Sequence, residues 1–404
     1  MFGAIFLIVL FFGLNQVIYG IYQKQHKFFD RKLMNLLYLY HLFFFGVYTW
    51  YASNNMSDSW GYFFFVEKYT GSWVGLFGTD STFIRFVAYP FYSLGFNYYM
   101  LMVSFAWLGY LGFVYAYLFI REKIPIKIKV FKSVDLLVLI LFLPNMHFWT
   151  SSLGKGSIIF FGLMMFTYAI AKPASRIFLL ALGSAIVYFI RPHVFLFIAV
   201  GAVAGYMSGK EAIPLWQKIV VFVGLIGGLI LVQDQILAVV GLQGSENLVE
   251  GFQSFSEDRA EDLGRAGSGV DMSSYPLPLK LFTFWFRPLF FDAPNILGLI
   301  VSFENLVYLL LFMRILKKDF FKFILKSPAL VKMSIVIFFT TSFAMTFVMS
   351  NLGIIMRQKS MVMYYLFFVI YYYLAQKKYK HIIRAKKLMR YRKEKALELV
   401  AKPN

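Results

Sequence analysis

The sequence predicts an all-α polytopic membrane bundle of about eleven transmembrane helices, with the amino terminus outside and the carboxy terminus cytoplasmic. Three observations predict it. Of 404 residues, 60% are hydrophobic and 21% aromatic, and mean hydropathy is +0.66, more apolar surface than one soluble core can bury. Apolar runs of roughly 17 to 25 residues recur along the chain, and in lipid such runs must be helical because every backbone amide needs an internal partner. Finally, the basic residues are distributed unevenly between alternate connections.

The spans are placed near 2–22, 35–53, 97–120, 134–150, 157–171, 177–190, 194–208, 219–240, 293–315, 333–350 and 360–376, several of them short. The first has no basic residue before it and no small-residue cleavage signature after it, so it is not read as a removable signal peptide. The pairs flanking Lys155 and Arg191 read as helical hairpins. With the amino terminus outside, about 30 of the 40 Lys and Arg fall inside and about 10 outside, as the positive-inside rule requires. Inside lie Lys24 to Lys32, Arg121 to Lys132, Arg314 to Lys332 and the tail from Lys377. A transmembrane domain is thus expected over 1–376 and a basic cytoplasmic tail over 377–404. The net charge of +20 is topological and indicates membrane lipid as a partner, with no nucleic acid. Cysteines are absent, which excludes disulfides, thiolate metal sites and a Cys nucleophile.

Two outside connections exceed a turn. Residues 54–96 carry NNMSDSWGYFFFVEKY and an aromatic amphipathic stretch, TFIRFVAYPFYSLGF, suited to the interface. Residues 241–292 carry an acidic stretch, then a Gly, Ser and Pro run that reads as a loop. No repeat of fixed period is found.

Cytoplasmic basic residues explain themselves, so the informative charges are those outside. Lys155 lies in NMHFWTSSLGKGS, Arg191 and His193 in YFIRPHVF, Arg287 in FWFRPLFFDAPN, and Arg357 and Lys359 in SNLGIIMRQKS. Each borders a span, so all can converge at one membrane boundary. Arg191 sits between two apolar runs and must either snorkel or meet an anion. Lys and Arg gathered in this way suit a phosphate or diphosphate. The nearby acids are Asp58, Glu67, Asp80, Asp234, Asp292 and Glu304. Glu304 lies about eleven residues into its span, roughly 16 Å deep, where it requires a partner; it either pairs with a base to hold helices together or shapes a cavity. Asp58 is better placed to reach a water-exposed hydroxyl.

His147 and His193 have no second His at helical spacing, so no zinc site is assigned. No cofactor is called for, and a carboxylate-held divalent cation stays open. The run LGKGS lacks the glycine spacing of a phosphate-binding loop, and Asn55-Met56-Ser57 is too short to weigh as a glycosylation signal.

The segments LPNMHFWTSSLGKGSIIFF, YFIRPHVFLF, FWFRPLFFDAPNILGLIVSFENL and SNLGIIMRQKSMVMYYL, in this order, resemble those of bacterial surface-polysaccharide polymerases of the Wzy-type and EpsG-like group, similar in plan to the GT-C glycosyltransferases. The resemblance covers about residues 50–375 and rests on loose motifs. It implies a multi-pass protein of the bacterial inner membrane that extends a polyprenyl-diphosphate-linked oligosaccharide for O-antigen, capsule or exopolysaccharide. It further implies that Lys155, Arg191, Arg287, Arg357 and Lys359 hold the diphosphate, with Asp58 and His193 as candidate bases, and that other polysaccharide-assembly proteins are partners. GT-C enzymes usually place an acid in the first large outer loop, where SDSWGYF falls; the carboxy-terminal soluble domain of many is replaced here by a short basic tail. The residues also fit a flippase of lipid-linked saccharide, or a non-catalytic assembly partner.

Overall fold

Apolar runs without water to satisfy their amides close their hydrogen bonds internally, and the regular structure of the described residues in the computed structural model is accordingly helical, apart from one two-stranded hairpin and an isolated bridge between Gly269 and Asn351. The structure describes residues 2–209, 214–239, 269–270, 272, 275–293, 295–348 and 351–400. The helices are α1 (Phe2–Gln25), α2 (Arg31–Asn54), α3 (Asp58–Lys68), α4 (Ser81–Ser93), α5 (Tyr98–Lys123), α6 (Leu136–Leu141), α7 (Pro144–Thr150), α8 (Lys155–Ile170), α9 (Ile177–Ile190), α10 (Pro192–Ser208) and α11 (Leu215–Val239). After the undescribed stretch follow α12 (Leu277–Phe286), α13 (Ile296–Met313), α14 (Lys318–Leu325), α15 (Ala329–Val348) and α16 (Leu352–Val400). The strands β1 (Lys129–Val130) and β2 (Val134–Asp135) pair antiparallel ahead of α6. Among the described residues, four helices are long and apolar enough to cross a membrane: α1, α5, α13 and α15. The acidic stretch of the 241–292 connection and the side chain of Asp234 lie outside the described residues.

The core forms around α5, α8, α9, α10, α15 and α16, where α8 lies between α5 and α9, and α10 lies along α15. Small residues permit that last approach. A Cβ at Gly205 would stand 2.5 Å from the Ala329 carbonyl and 2.7 Å from the Met333 Cβ, so only glycine lets the two helices meet. At the end of the bundle opposite the site described below, Glu122 binds Arg176 (2.6 Å) and Lys172 (3.2 Å), and the Arg176 guanidinium lies 3.6 Å over the Tyr168 ring. These contacts fasten the α8–α9 turn to the end of α5.

The structure departs from the sequence reading in three places. The run 134–150, expected as one span, is broken into α6 and α7, because Pro144 has no N–H for the helical ladder and takes the first position of a new helix. Side chains satisfy the carbonyls at the break: Tyr40 donates to Phe142 O (2.9 Å), and the His147 ring lies 2.7 Å from Leu141 O. His147 is therefore buried in packing, with its Nδ1 2.9 Å from that of His41 and its ring stacked on Phe113. Second, residues 277–286, assigned above to a loop, form α12 inside the bundle. Lys280 lies over Phe347, and Trp285 donates to Ser342 (2.8 Å) and stacks on Phe338, so α12 runs antiparallel to α15. Its sequence LPLKLFTFWF is apolar save for one lysine, whose stem can reach along the helix to place its charge near the end. Third, the tail is continuous with the last span: α16 runs unbroken to Val400, and Lys377 pairs with Asp319 at 2.7 Å where it leaves the core.

Gly205→Val should lower the thermal midpoint of the detergent-purified protein by an amount equivalent to about 1–3 kcal/mol of overpacking. Gly224→Val, where an added Cβ meets nothing within 4 Å, should leave it within error; scanning fluorimetry of the two side by side checks both.

Candidate functional site: a cationic cleft at one end of the bundle

Three helices, α8, α10 and α16, begin at the same end of the bundle, and each opens with or beside a cation. Lys155 is the first residue of α8, Arg191 is the N-cap of α10, and Arg357 lies in the second turn of α16. The helix macrodipole disfavours cations at N-termini, so each one calls for an anion, and the described residues bring two carboxylates to the three cations.

Two acids face the three cations. Lys155 Nζ lies 2.5 Å from Asp80 Oδ2, and Arg357 Nη1 lies 2.6 Å from Asp58 Oδ2. Both carboxylates are more than half exposed, whereas Lys155, Arg357 and Arg191 are largely covered. The acids therefore form the rim and the cations the floor. Arg191, 7% exposed, donates through Nη1 to Gln358 Oε1 (2.5 Å), and its Nε has no partner among the described residues. Lys155 is within electrostatic reach of Asp80, Arg191 and Arg357, and His193 of Arg191, Asp80 and Lys155, so these groups share one field. Among the described residues three cations face two carboxylates here, and three helix N-termini add to the positive field.

Local sequence builds this geometry. Asp58 opens α3, where a carboxylate is favoured by the helix dipole. Helix α3 is anchored by Trp60, which stacks on Tyr98 with ring centroids 3.6 Å apart and donates to Ala52 O (3.0 Å), and by Ser59, which bonds Tyr98 at 2.8 Å. Asp80 takes φ 62°, a region costly for a non-glycine residue. It is held there by its own N–H donating to Phe189 O (2.7 Å) and by Lys155. Burial alone would raise the Asp80 carboxyl, but the hydrogen bond and charge of Lys155, with Arg191 beyond, hold it below its ordinary value.

Arg287 and Lys359, expected with the other cations, occupy a second, interior cluster. Arg287 is paired with Asp292 and Lys359 Nζ donates to Arg287 O at 2.6 Å, while Lys359 itself is fully buried. Glu304, 3% exposed, accepts from the Asn145 N–H (2.7 Å) and from the Tyr308 hydroxyl, and it interacts with the Lys359 charge. Through these contacts Glu304 ties α13 to α7 and faces the charge of Lys359 on α16.

Asn145 links the clusters. Besides donating its N–H to Glu304, it donates its side-chain amide to Met356 O (2.8 Å) and accepts from Trp149 (3.1 Å), whose ring lies 5.5 Å from the Arg357 guanidinium. Asn145, Trp149, Gln358 and the role of Asp80 were not singled out from sequence. The only sequence signal for Asn145 is its place after Pro144 at a helix start; Gln358 was hidden between two charged neighbours. Among the described residues no three His, Cys, Asp or Glu stand close enough to hold a metal ion. Comparison with protein-family models, with characterised proteins and with solved structures finds no match.

Asp80→Asn tests the rim pair through pH. Because the folded Asp80 carboxyl titrates below its unfolded value of about 3.9, its stabilisation is whole above that value and is lost as pH falls through the folded one. The wild type should melt above Asp80→Asn near neutrality, and the gap should close in acid. A gap unchanged from neutrality down through the acid range would show that the ion pair is not its source.

Proposed function

We propose that the cleft binds the diphosphate of a polyprenyl-linked glycan on the extracytoplasmic face of a bacterial inner membrane, and that the protein is a glycosyltransferase extending such a glycan. The observation that carries this reading is the gathering of Lys155, Arg191 and Arg357 where three helix N-termini meet, with two carboxylates facing them among the described residues, an arrangement suited to an anion with more than one charge. The positive-inside distribution of Lys and Arg favours an outward-facing cleft, with about eleven membrane passages and the basic end of α16 in the cytoplasm.

The reaction follows from the placement of the groups. Lys155, Arg191 and Arg357 receive the diphosphate as the bond between the anomeric carbon and its oxygen breaks and the electron pair stays with the leaving group. The acceptor sugar's hydroxyl oxygen then bonds the anomeric carbon and gives up its proton to a base at the rim. Asp58 is the better placed of the two candidates. It is exposed and paired with Arg357, and an Arg357 drawn toward the diphosphate would release it to take the proton. His193 lies within the same field but sits deeper, one residue beyond Pro192. Arg287 is already paired with Asp292, and Lys359 is fully buried with its ammonium on the Arg287 carbonyl, so both support the cleft instead of touching the leaving group.

Purified protein in lipid, given polyprenyl-diphosphate oligosaccharide, should yield longer glycans on a ladder gel. Arg191→Ala should slow this by about 10- to 150-fold, the loss of one charge-assisted contact of about 1.5–3 kcal/mol. Asp58→Asn should slow it by about 100- to 10,000-fold with substrate still bound. Head-group transfer between leaflets without bond formation would replace the transferase by a flippase. Neither activity, with the diphosphate unbound, would overturn the reading.

A further inference from the structure

At the end of the bundle opposite the cleft, α14 joins two of the helices long and apolar enough to cross a membrane, α13 before it and α15 after it. Its sequence, KDFFKFIL, sorts into three faces. Phe320, Phe323 and Ile324 turn toward the core. The rings of Phe320 and Phe323 each stand 5.2 Å from that of Tyr373 on α16, and Phe323 is only 7% exposed. Asp319 fixes the orientation a second time, since it accepts from the Tyr373 hydroxyl (2.8 Å) and pairs with Lys377 (2.7 Å).

A helix fastened on one side presents the remainder of its surface outward. Phe321 and Leu325, one turn apart, are 72% and 70% exposed, and Leu316, just ahead of the helix, is 65% exposed. Beside this apolar row runs a second one, Lys318, Lys322 and Lys326, exposed residues that recur every fourth position and so share a face. The acid of this helix, Asp319, is taken up by Lys377, and among the described residues no carboxylate forms an ion pair with these three lysines. The positive-inside bias accounts for the number of basic residues at this end. It does not require them to line up alongside exposed aromatic and aliphatic side chains.

We propose that α14 lies in the lipid–water interface and that Lys318, Lys322 and Lys326 form a binding site for the headgroups of anionic phospholipids, with Phe321, Leu325 and Leu316 inserted among the acyl chains. Two observations select lipid over an acidic protein segment. The helix connects two apolar helices of crossing length, so the boundary of the hydrocarbon passes where those helices end, beside Leu316 and Phe321. The apolar and basic rows also adjoin, which is the pattern required where acyl chains give way to phosphates. Lysine suits such a boundary because its stem packs along apolar surface while its ammonium reaches the anionic layer. The site lies at the far end of the bundle from the cleft and does not depend on what the cleft binds.

The chain has no cysteine, so Phe321→Cys accepts a single fluorescent label, and Leu325→Cys provides a second position should the first variant fold poorly. Full-length labelled protein is placed in nanodiscs of phosphatidylglycerol and phosphatidylcholine in which one or the other lipid carries bromine on its acyl chains. Quenching then reports which lipid stands beside α14. Brominated phosphatidylglycerol should quench as though enriched at least about threefold over its share of the bilayer, well within what three lysines at an anionic surface supply. Lys318→Gln, Lys322→Gln and Lys326→Gln combined should return quenching to the bulk ratio. The same exchange at Lys127, Lys129 and Lys132, exposed on and beside the β1–β2 hairpin, should leave the enrichment unchanged. Quenching in proportion to bulk composition in the unexchanged protein overturns the headgroup site. Equal loss in both triple variants overturns it too, because the general charge of this end would then be the cause. A label quenched by neither lipid stands in water, which overturns the interfacial placement in favour of an acidic protein partner.

Discussion

Four consecutive residues at the start of α16 hold the site together, each gripping a different element. The Met356 carbonyl is bound by Asn145 of α7, Arg357 by Asp58 of α3, Gln358 by Arg191 between α9 and α10, and Lys359 binds the carbonyl of Arg287 at the end of α12. In an α-helix, successive residues point about 100° apart, so four in a row sweep the whole circumference. One turn can therefore fasten elements on every side of it. The cleft exists because this turn is surrounded, and each neighbour brings its own polar group to meet it.

That arrangement explains why polar chemistry sits in an apolar bundle without collapsing it. Buried charges are tolerated only when paired and hydrogen-bonded, and the interior cluster meets this condition: Glu304 has Tyr308, the Asn145 N–H and the Lys359 charge, and Arg287 has Asp292. The outer cleft meets it only in part. Among the described residues the interior set is balanced in charge and the outer set is not. The interior set also accounts for the broken helix, because the Pro144 interruption frees the Asn145 N–H for Glu304 while Tyr40 and His147 cover the carbonyls left behind.

Much of this was legible in the sequence, and its limits have physical causes. Hydropathy and the bias of Lys and Arg disclose a membrane bundle, since both report transfer free energies that depend on composition alone. The convergence of Lys155, Arg191 and Arg357 was legible because a cation at the edge of an apolar run has few places to go. What could not be read was the division of five cations into two sets. Arg287 and Lys359 border apolar runs just as the others do, and only the path of α12 back into the bundle, beside α15, takes them out of the cleft. The run LPLKLFTFWF is too short to span a membrane, so its apolarity did not disclose that it packs inside.

Asp80 shows the same limit from the opposite side. As one acid among several in a loop, nothing in its neighbours distinguishes it from a solvated carboxylate. Its significance comes from contacts far along the chain, with Lys155 and with the carbonyl of Phe189, which together hold it at a backbone angle that an unconstrained aspartate would leave. Through this one residue the start of α4 is tied to the end of α9, and the same residue sets one of the two rim carboxylates against a cation.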